Sequence, residues 1–113
     1  MHTFQQTPEP GDPILAEIVR RLVRDLRPER IYLFGSRARG ESGPDSDFDF
    51  LVVVPTSDLP GYKRDQMAFR SLRGVGVSKD VLVMTRGEFE RKGRVVCSLA
   101  ATVLREGRLL YVA

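Results

Sequence analysis

GSRARGESGPDSDFD, residues 35–49, joins two short apolar runs and carries the most informative chemistry of this chain. Gly35 comes directly after the apolar run 31–34, which places a turn with free backbone N–H groups at the end of a strand. Asp47 and Asp49 open the second apolar run, and side chains two positions apart on a strand share one face. The stretch therefore predicts an anion-binding turn beside a pair of carboxylates.

The composition is that of an ordinary globular domain. The chain has 113 residues, of which 42% are hydrophobic and 29% charged, and a net charge of +3. We expect a flexible tail at residues 1–11 and a single domain at residues 12–113. No apolar stretch approaches the roughly 18 residues of a membrane span, and the single cysteine, Cys97, fits a reducing compartment. These features predict a cytoplasmic protein without a membrane contact and without a strong nucleic-acid signal.

Helical and strand patterns alternate along the chain. Asp12 and Pro13 predict the start of an amphipathic helix that ends before Pro28. The patterns predict strands at residues 30–34, 48–54, 81–84 and 109–112, a turn with a short helical stretch at 35–44, a loop at 55–61 and a helix at 62–73. Thr85 and Glu88 form a capping-box pattern that predicts one long helix, closed by Gly107. This alternation favours an α/β (α+β) fold in which helices pack on a small mixed sheet.

A third carboxylate, Asp80, stands where the predicted strand 81–84 begins. If that strand neighbours strand 48–54, Asp47, Asp49 and Asp80 converge at one end of the sheet, near the turn at Gly35. Clustered carboxylates raise one another's pKa unless cations occupy the cluster. Ligand sets made only of oxygen select hard cations such as Mg²⁺.

Two other motifs match parts of the opening stretch, and both fail. A P-loop needs lysine where Glu41 stands, and a glutamate there would repel phosphate. A calcium-binding EF-hand loop needs glycine where Phe50 stands and a closing glutamate where Thr56 stands. The stretch is therefore neither of these loops.

The pattern Gly35-Ser36, ten residues, then Asp47-Phe48-Asp49, with a later strand aspartate, resembles the signature of nucleotidyltransferases with the polymerase β fold. The short chain and the GSRARG form are most similar to the minimal nucleotidyltransferase (MNT) family, the antitoxins of HEPN/MNT toxin–antitoxin modules. The likeness covers about residues 13–112 by order of elements, and its specificity lies mainly in residues 35–49.

This resemblance implies that the turn binds ATP. Backbone N–H groups around Gly35 and Ser36 would hold the β and γ phosphates. Arg37 and Arg39 would offset the phosphate charge.

The resemblance also implies the catalytic and metal-binding groups. Asp47, Asp49 and Asp80 would hold Mg²⁺, as two ions, and Asp80 would help to deprotonate the attacking hydroxyl. The product would be an AMP adduct together with pyrophosphate. The implied acceptor is a tyrosine of a cognate HEPN toxin. AMP attached to it would silence that toxin, as in a type VII-like module.

Three functions stay open at this point. The first is AMP transfer to a partner protein, and the second is nucleotidyl transfer to a small molecule such as an aminoglycoside, or to an RNA end. The third is a non-catalytic antitoxin that acts by binding alone. The sequence leaves the acceptor, the base preference, the number of nucleotides transferred and the homo- or hetero-oligomeric state undecided.

Overall fold

A computed structural model describes residues 13–35, 38, 47–95 and 98–113. In chain order they form α1 (Pro13–Leu26), β1 (Arg30–Phe34), β2 (Phe48–Val54), α2 (Gly61–Ser71), β3 (Lys79–Thr85), α3 (Arg86–Gly93), α4 (Leu99–Glu106) and β4 (Arg108–Val112). The expected tail at 1–11, the helix cap Asp12, Cys97 and most of the predicted helical stretch within 35–44 lie outside the described residues.

The strands form one mixed sheet in the order β3-β2-β1-β4. β1 is antiparallel to both β2 and β4, whereas β2 and β3 run parallel. The predicted mixed sheet is confirmed, and β4 is one of its edge strands. The starts of β2 and β3 therefore lie at the same end of the sheet as the end of β1.

Helices cover both faces of the sheet, so the central strand β2 is buried on both sides. On one face Phe48, Phe50, Val52 and Val54 pack against α1 and α2. On the other face Leu51 and Val53 pack with Phe89 of α3 and Val103 of α4. Because side chains alternate along a strand, Asp49 lies on the face that α3 and α4 cover in part.

The single long helix predicted after Thr85 is wrong. The chain forms α3 and α4 instead, and the side chain of Ser98 accepts the Ala101 N–H as the N-cap of α4. A Cβ added at Gly93 would lie 2.9 Å from Cδ1 of Leu104, so the two helices approach closely at this glycine. The capping box at Thr85 and the helix end at Gly107 are confirmed.

The remaining boundaries shift only slightly. α2 begins at Gly61 and ends at Ser71 rather than spanning 62–73, and β3 extends beyond the predicted 81–84 at both ends. Within the described ranges, no helix combines the length and the apolar character that crossing a membrane requires.

Candidate functional site

The strand register brings Gly35, Asp49 and Asp80 of the predicted site to one end of the sheet. Asp49 of β2 pairs with Phe34 of β1 on one side and with Asp80 of β3 on the other. Gly35 directly follows Phe34, so the turn begins at this same end. The Phe48 N–H donates a hydrogen bond of 3.0 Å to the Ser78 carbonyl, which fastens the two strand starts together.

Gly35 lies directly against the carboxylate of Asp49. A Cβ added at Gly35 would come within 2.5 Å of Oδ2 and 3.4 Å of Cγ of Asp49. The φ of Gly35 is +78°, in the left-handed region that glycine adopts without steric penalty. The Gly35 carbonyl accepts a hydrogen bond of 3.1 Å from the Ala38 N–H, which begins the turn. A side chain at position 35 would collide with the carboxylate.

The surroundings of Asp49 disfavour the ionised form of its carboxyl group. Its pKa is raised first by burial and then by the negative charges of Asp80 and Asp47. Asp49 is half-buried, whereas Asp47 and Asp80 are exposed. No cation among the described residues forms an ion pair with Asp49. The site therefore concentrates negative charge beside a backbone turn.

These carboxylates have the chemistry of a site for a hard cation. Among the described residues, no group of three Asp, Glu, His or Cys side chains is already arranged to hold a metal ion. Asp47, Asp49 and Asp80 nevertheless offer only oxygen ligands, and the charges of Asp80 and Asp47 contribute to the raised pKa of Asp49. A cation would relieve that repulsion, so the donor set fits Mg²⁺.

Three residues of the predicted site cannot be placed. Ser36, Arg37 and Arg39 lie outside the described residues. Their assignment to phosphate binding therefore stays a prediction.

Two residues near the site carried no recognisable signal in the sequence. The Nζ of Lys79 donates to the carbonyls of Val75 and Val77, both at 3.0 Å, and so ties the preceding loop to the strand start that carries Asp80. Leu82 lies on the same face of β3 as Asp80 and is 37% exposed. Ordinary strand alternation predicts neither the loop contact nor an open surface at Leu82.

Comparison with known sequences identifies related proteins. The model of the nucleotidyltransferase domain family matches residues 14–110. A protein of Methanocaldococcus jannaschii, named as a candidate protein adenylyltransferase, is 28% identical over 75 residues, covering 61% of this chain and 74% of that protein.

Solved structures share the fold. A crystal structure of a Sulfolobus solfataricus protein, described as a candidate nucleotidyltransferase, matches with a TM-score of 0.61 and 28% identity, covering 85% of this chain and 75% of that one. A toxin–antitoxin crystallised with AMP-PNP matches with a TM-score of 0.63 and 22% identity, covering 87% of this chain and 73% of that one. The second likeness is one of fold alone. Together the matches confirm the predicted fold.

Proposed function

The chain belongs to the nucleotidyltransferase domain family and is a nucleotidyltransferase, and from that premise we propose that it transfers AMP from ATP to a hydroxyl group of a partner protein. The contact of Gly35 with Asp49, with Asp80 opposite Asp49 on the next strand, carries the proposal. It sets a backbone turn suited to phosphate beside carboxylates suited to the cation that accompanies ATP.

In this proposal the turn after β1 binds the β and γ phosphates. Its backbone N–H groups would donate to phosphate oxygens, and the missing side chain at Gly35 leaves room for close approach. Ser36 would extend the set of donors, and Arg37 and Arg39 would offset the phosphate charge. These three roles rest on the sequence.

Asp47, Asp49 and Asp80 would hold Mg²⁺, for which we propose two ions. Bound there, Mg²⁺ would offset the charge of the α phosphate and of the departing pyrophosphate. The half-buried Asp49 would be the central ligand, because β1 on one side of it leads into the turn and β3 on the other side carries Asp80.

The chemistry is a displacement at phosphorus. The acceptor oxygen bonds to the α phosphorus of ATP, and the bond from that phosphorus to the oxygen bridging the β phosphate breaks. The exposed carboxylate of Asp80 would accept the hydroxyl proton. The products are an AMP ester and pyrophosphate, so atoms and charge balance.

The acceptor that we favour is a tyrosine of a cognate HEPN toxin. The protein would then be the antitoxin of a type VII-like module, forming a hetero-oligomer with its target in the cytoplasm. The name of the Methanocaldococcus jannaschii relative supports protein adenylylation, and the toxin–antitoxin crystallised with AMP-PNP supports a toxin partner.

The proposal is tested by incubating the full chain with the product of its neighbouring gene, ATP and Mg²⁺. Intact-mass spectrometry should show an AMP-sized gain on the partner. Joint replacement Asp47→Asn and Asp49→Asn should reduce the rate by at least about 100-fold, because the cation would lose two ligands.

Asp58→Asn is the matched control. Asp58 is an exposed aspartate in the loop after β2, beyond the opposite end of that strand, and its replacement should leave the rate unchanged. Full neutralisation of the partner by the double variant would contradict the catalytic account and favour binding alone. A mass gain on a purified aminoglycoside or RNA, with none on the partner, would identify a different acceptor class.

A further inference from the structure

A pocket of about 250 Å³ lies at the end of the sheet opposite the carboxylates. It is enclosed by the end of α1, the loop after β2 and α2. Val54 at the end of β2 and Val83 near the end of β3 line it, whereas Asp49 and Asp80 lie where those strands start. This cavity, the far pocket, shares no residue with the proposed nucleotide site.

Most of the far pocket is apolar. Its apolar side chains are Leu26, Val54, Pro55, Leu59, Met67 and Val83. Leu59 and Met67 are 39% and 38% exposed, so water reaches the apolar wall. An apolar group that entered would remove this surface from water. The volume is below the roughly 300–1,000 Å³ of pockets that enclose drug-sized ligands, so the occupant is small.

Arg64 is a buried arginine of the pocket wall whose charge is already paired. Arg64 lines the far pocket and its side chain is 9% exposed. Its Nη1 and Nη2 donate to the carboxylate of Glu88 at 2.9 and 3.2 Å. Its Nε is buried and has no hydrogen-bond partner in the described part of the chain. Because that nitrogen has almost no exposed surface, Arg64 contributes part of the wall and no free donor to the pocket.

A second arginine at the pocket has an unusual backbone. Arg27 follows α1 with a φ of +50°, a left-handed conformation where glycine is the usual residue. Its N–H donates to the Val23 carbonyl at 3.1 Å, which closes the helix. Its exposed side chain lines the far pocket and forms no ion pair with a described carboxylate. A strained position that carries a free cation points to a role for the side chain.

The charge balance of the far pocket favours an anion. The carboxylate of Asp25, the acidic group of the lining, already accepts hydrogen bonds from Arg24 at 2.7 Å and from the Ser71 hydroxyl at 2.6 Å. Glu88 likewise neutralises Arg64. Arg27 is therefore the uncompensated charge among the described lining residues.

We infer that the far pocket binds a small monocarboxylate with a short branched apolar body. The carboxylate pairs with the guanidinium of Arg27 at the edge of the pocket. The apolar body lies against Leu59, Met67 and Val83. This site is independent of nucleotide transfer.

Isocaproate, a branched apolar chain with one carboxylate, is the probe. The ¹⁵N-labelled full chain is titrated with it at constant ionic strength, and amide chemical shifts are followed by NMR. We expect saturable shifts at Thr56, Leu59 and Val83, which surround the pocket. Isocaproamide, which lacks the charge, and acetate, which lacks the apolar body, should each bind at least about fivefold more weakly.

Arg27→Gly is the decisive variant because glycine suits the left-handed backbone there and the fold is retained. It should weaken isocaproate binding at least about fivefold. Arg70→Gln, which removes one cation elsewhere on the exposed surface of α2, should leave binding unchanged. Met67→Trp, which fills the pocket, should abolish the saturable shifts.

Three results would overturn the inference. The first is an absence of saturation below about 20 mM isocaproate, a concentration at which a specific small-ligand site would be occupied. The second is an equal loss of affinity in Arg70→Gln and Arg27→Gly, which would indicate general attraction of anions. The third is a set of saturable shifts confined to residues outside the far pocket.

Discussion

Ionisation of Asp49 lowers the stability of the folded state. Burial and the charges of Asp80 and Asp47 raise its pKa, so its ionised form is less favourable in the folded chain than in the unfolded one. The same carboxylate touches the backbone of Gly35 at the start of the turn. A destabilising charge held beside this turn fits the cation-dependent phosphate site that we propose.

Replacing Asp49 should therefore stabilise the metal-free protein. For a carboxyl group whose pKa is raised on folding, stability is lost as the pH rises through its folded-state pKa. The advantage of Asp49→Asn over the parent chain should grow as the pH rises above about 4, where Asp49 ionises in the unfolded chain. Urea unfolding at a series of pH values without divalent metal measures this. Asp58→Asn controls for net charge, and a pH-independent difference for Asp49→Asn would contradict the account.

Gly35 and Gly74 have similar backbone conformations but different surroundings. Both have positive φ, +78° and +87°, but a Cβ at Gly74 would meet no atom within 4 Å. Gly74→Ala should cost about 1 kcal/mol of unfolding free energy and retain AMP transfer. Gly35→Ala should cost about 2–4 kcal/mol and lose transfer, because its Cβ collides with Asp49. Denaturant unfolding measures the stability of the two variants, and the mass assay measures their AMP transfer. Equal activity in the two variants would remove Gly35 from the site.

The elements with strong local patterns were predictable from the sequence. The stripe of α1 and the continuous apolar run of β2 have the helix and strand periods that burial demands. The division between α3 and α4 was missed because Phe89, Val96, Ala100 and Val103 also fit one helical face. The packing at Gly93 and the cap at Ser98 depend on the chain folding back, which a periodicity within one helix does not reveal.

The candidate site, too, was predictable from the sequence only in part. The closeness of Asp47 to Asp49 follows from their spacing in the sequence, although β2 begins only at Phe48, whereas the position of Asp80 depends on β3 pairing parallel to β2. The link from Arg64 of α2 to Glu88 of α3 joins residues far apart in sequence, and no local pattern indicates it.

Glu88 secures the start of α3. Its carboxylate accepts hydrogen bonds from both outer nitrogens of Arg64 and from the Thr85 N–H at 2.9 Å, and these contacts lower its pKa to about 2. Glu88→Gln should cost about 2–3 kcal/mol near pH 7, since it leaves Arg64 buried without its counter-charge. Because the pKa is lowered on folding, this cost should shrink as the pH falls from about 4.5 towards 2.

Glu90→Gln provides the control for the loss at Glu88. Glu90 is an exposed residue of the same helix, and its replacement should change stability by less than about 0.5 kcal/mol. Thermal unfolding at several pH values compares the two variants. A cost at Glu88 that grows under acidic conditions would contradict the assigned ion pair.

At the scale of the molecule, the two ends of the sheet carry different chemistry. The starts of β2 and β3 gather carboxylates, whereas the far pocket at the opposite end is apolar and rimmed by Arg27. Helices on both faces hold β2 between two packed layers and so fix the relative positions of the strand ends. A ligand at the carboxylate end would therefore meet strand ends whose relative positions the fold already fixes.

Cation and nucleotide should stabilise the whole chain by mass action. Mg²⁺ with a non-hydrolysable ATP analogue at about 100 times its Kd should raise the Tm by at least about 5 °C. Asp49→Asn should lose most of this rise, although its Tm without ligand is the higher one. Differential scanning calorimetry measures both effects. An undiminished rise in Asp49→Asn would mean that the nucleotide binds elsewhere.

The fate of the ATP phosphates tests nucleotidyl transfer most directly. The protein and the product of its neighbouring gene are incubated with Mg²⁺ and ATP labelled either at the α or at the γ phosphorus. Nucleotidyl transfer predicts that the α label becomes attached to the partner and the γ label leaves as pyrophosphate, both abolished by Asp47→Asn with Asp49→Asn. A γ label on the partner, or an α label that persists in the double variant, would contradict the account.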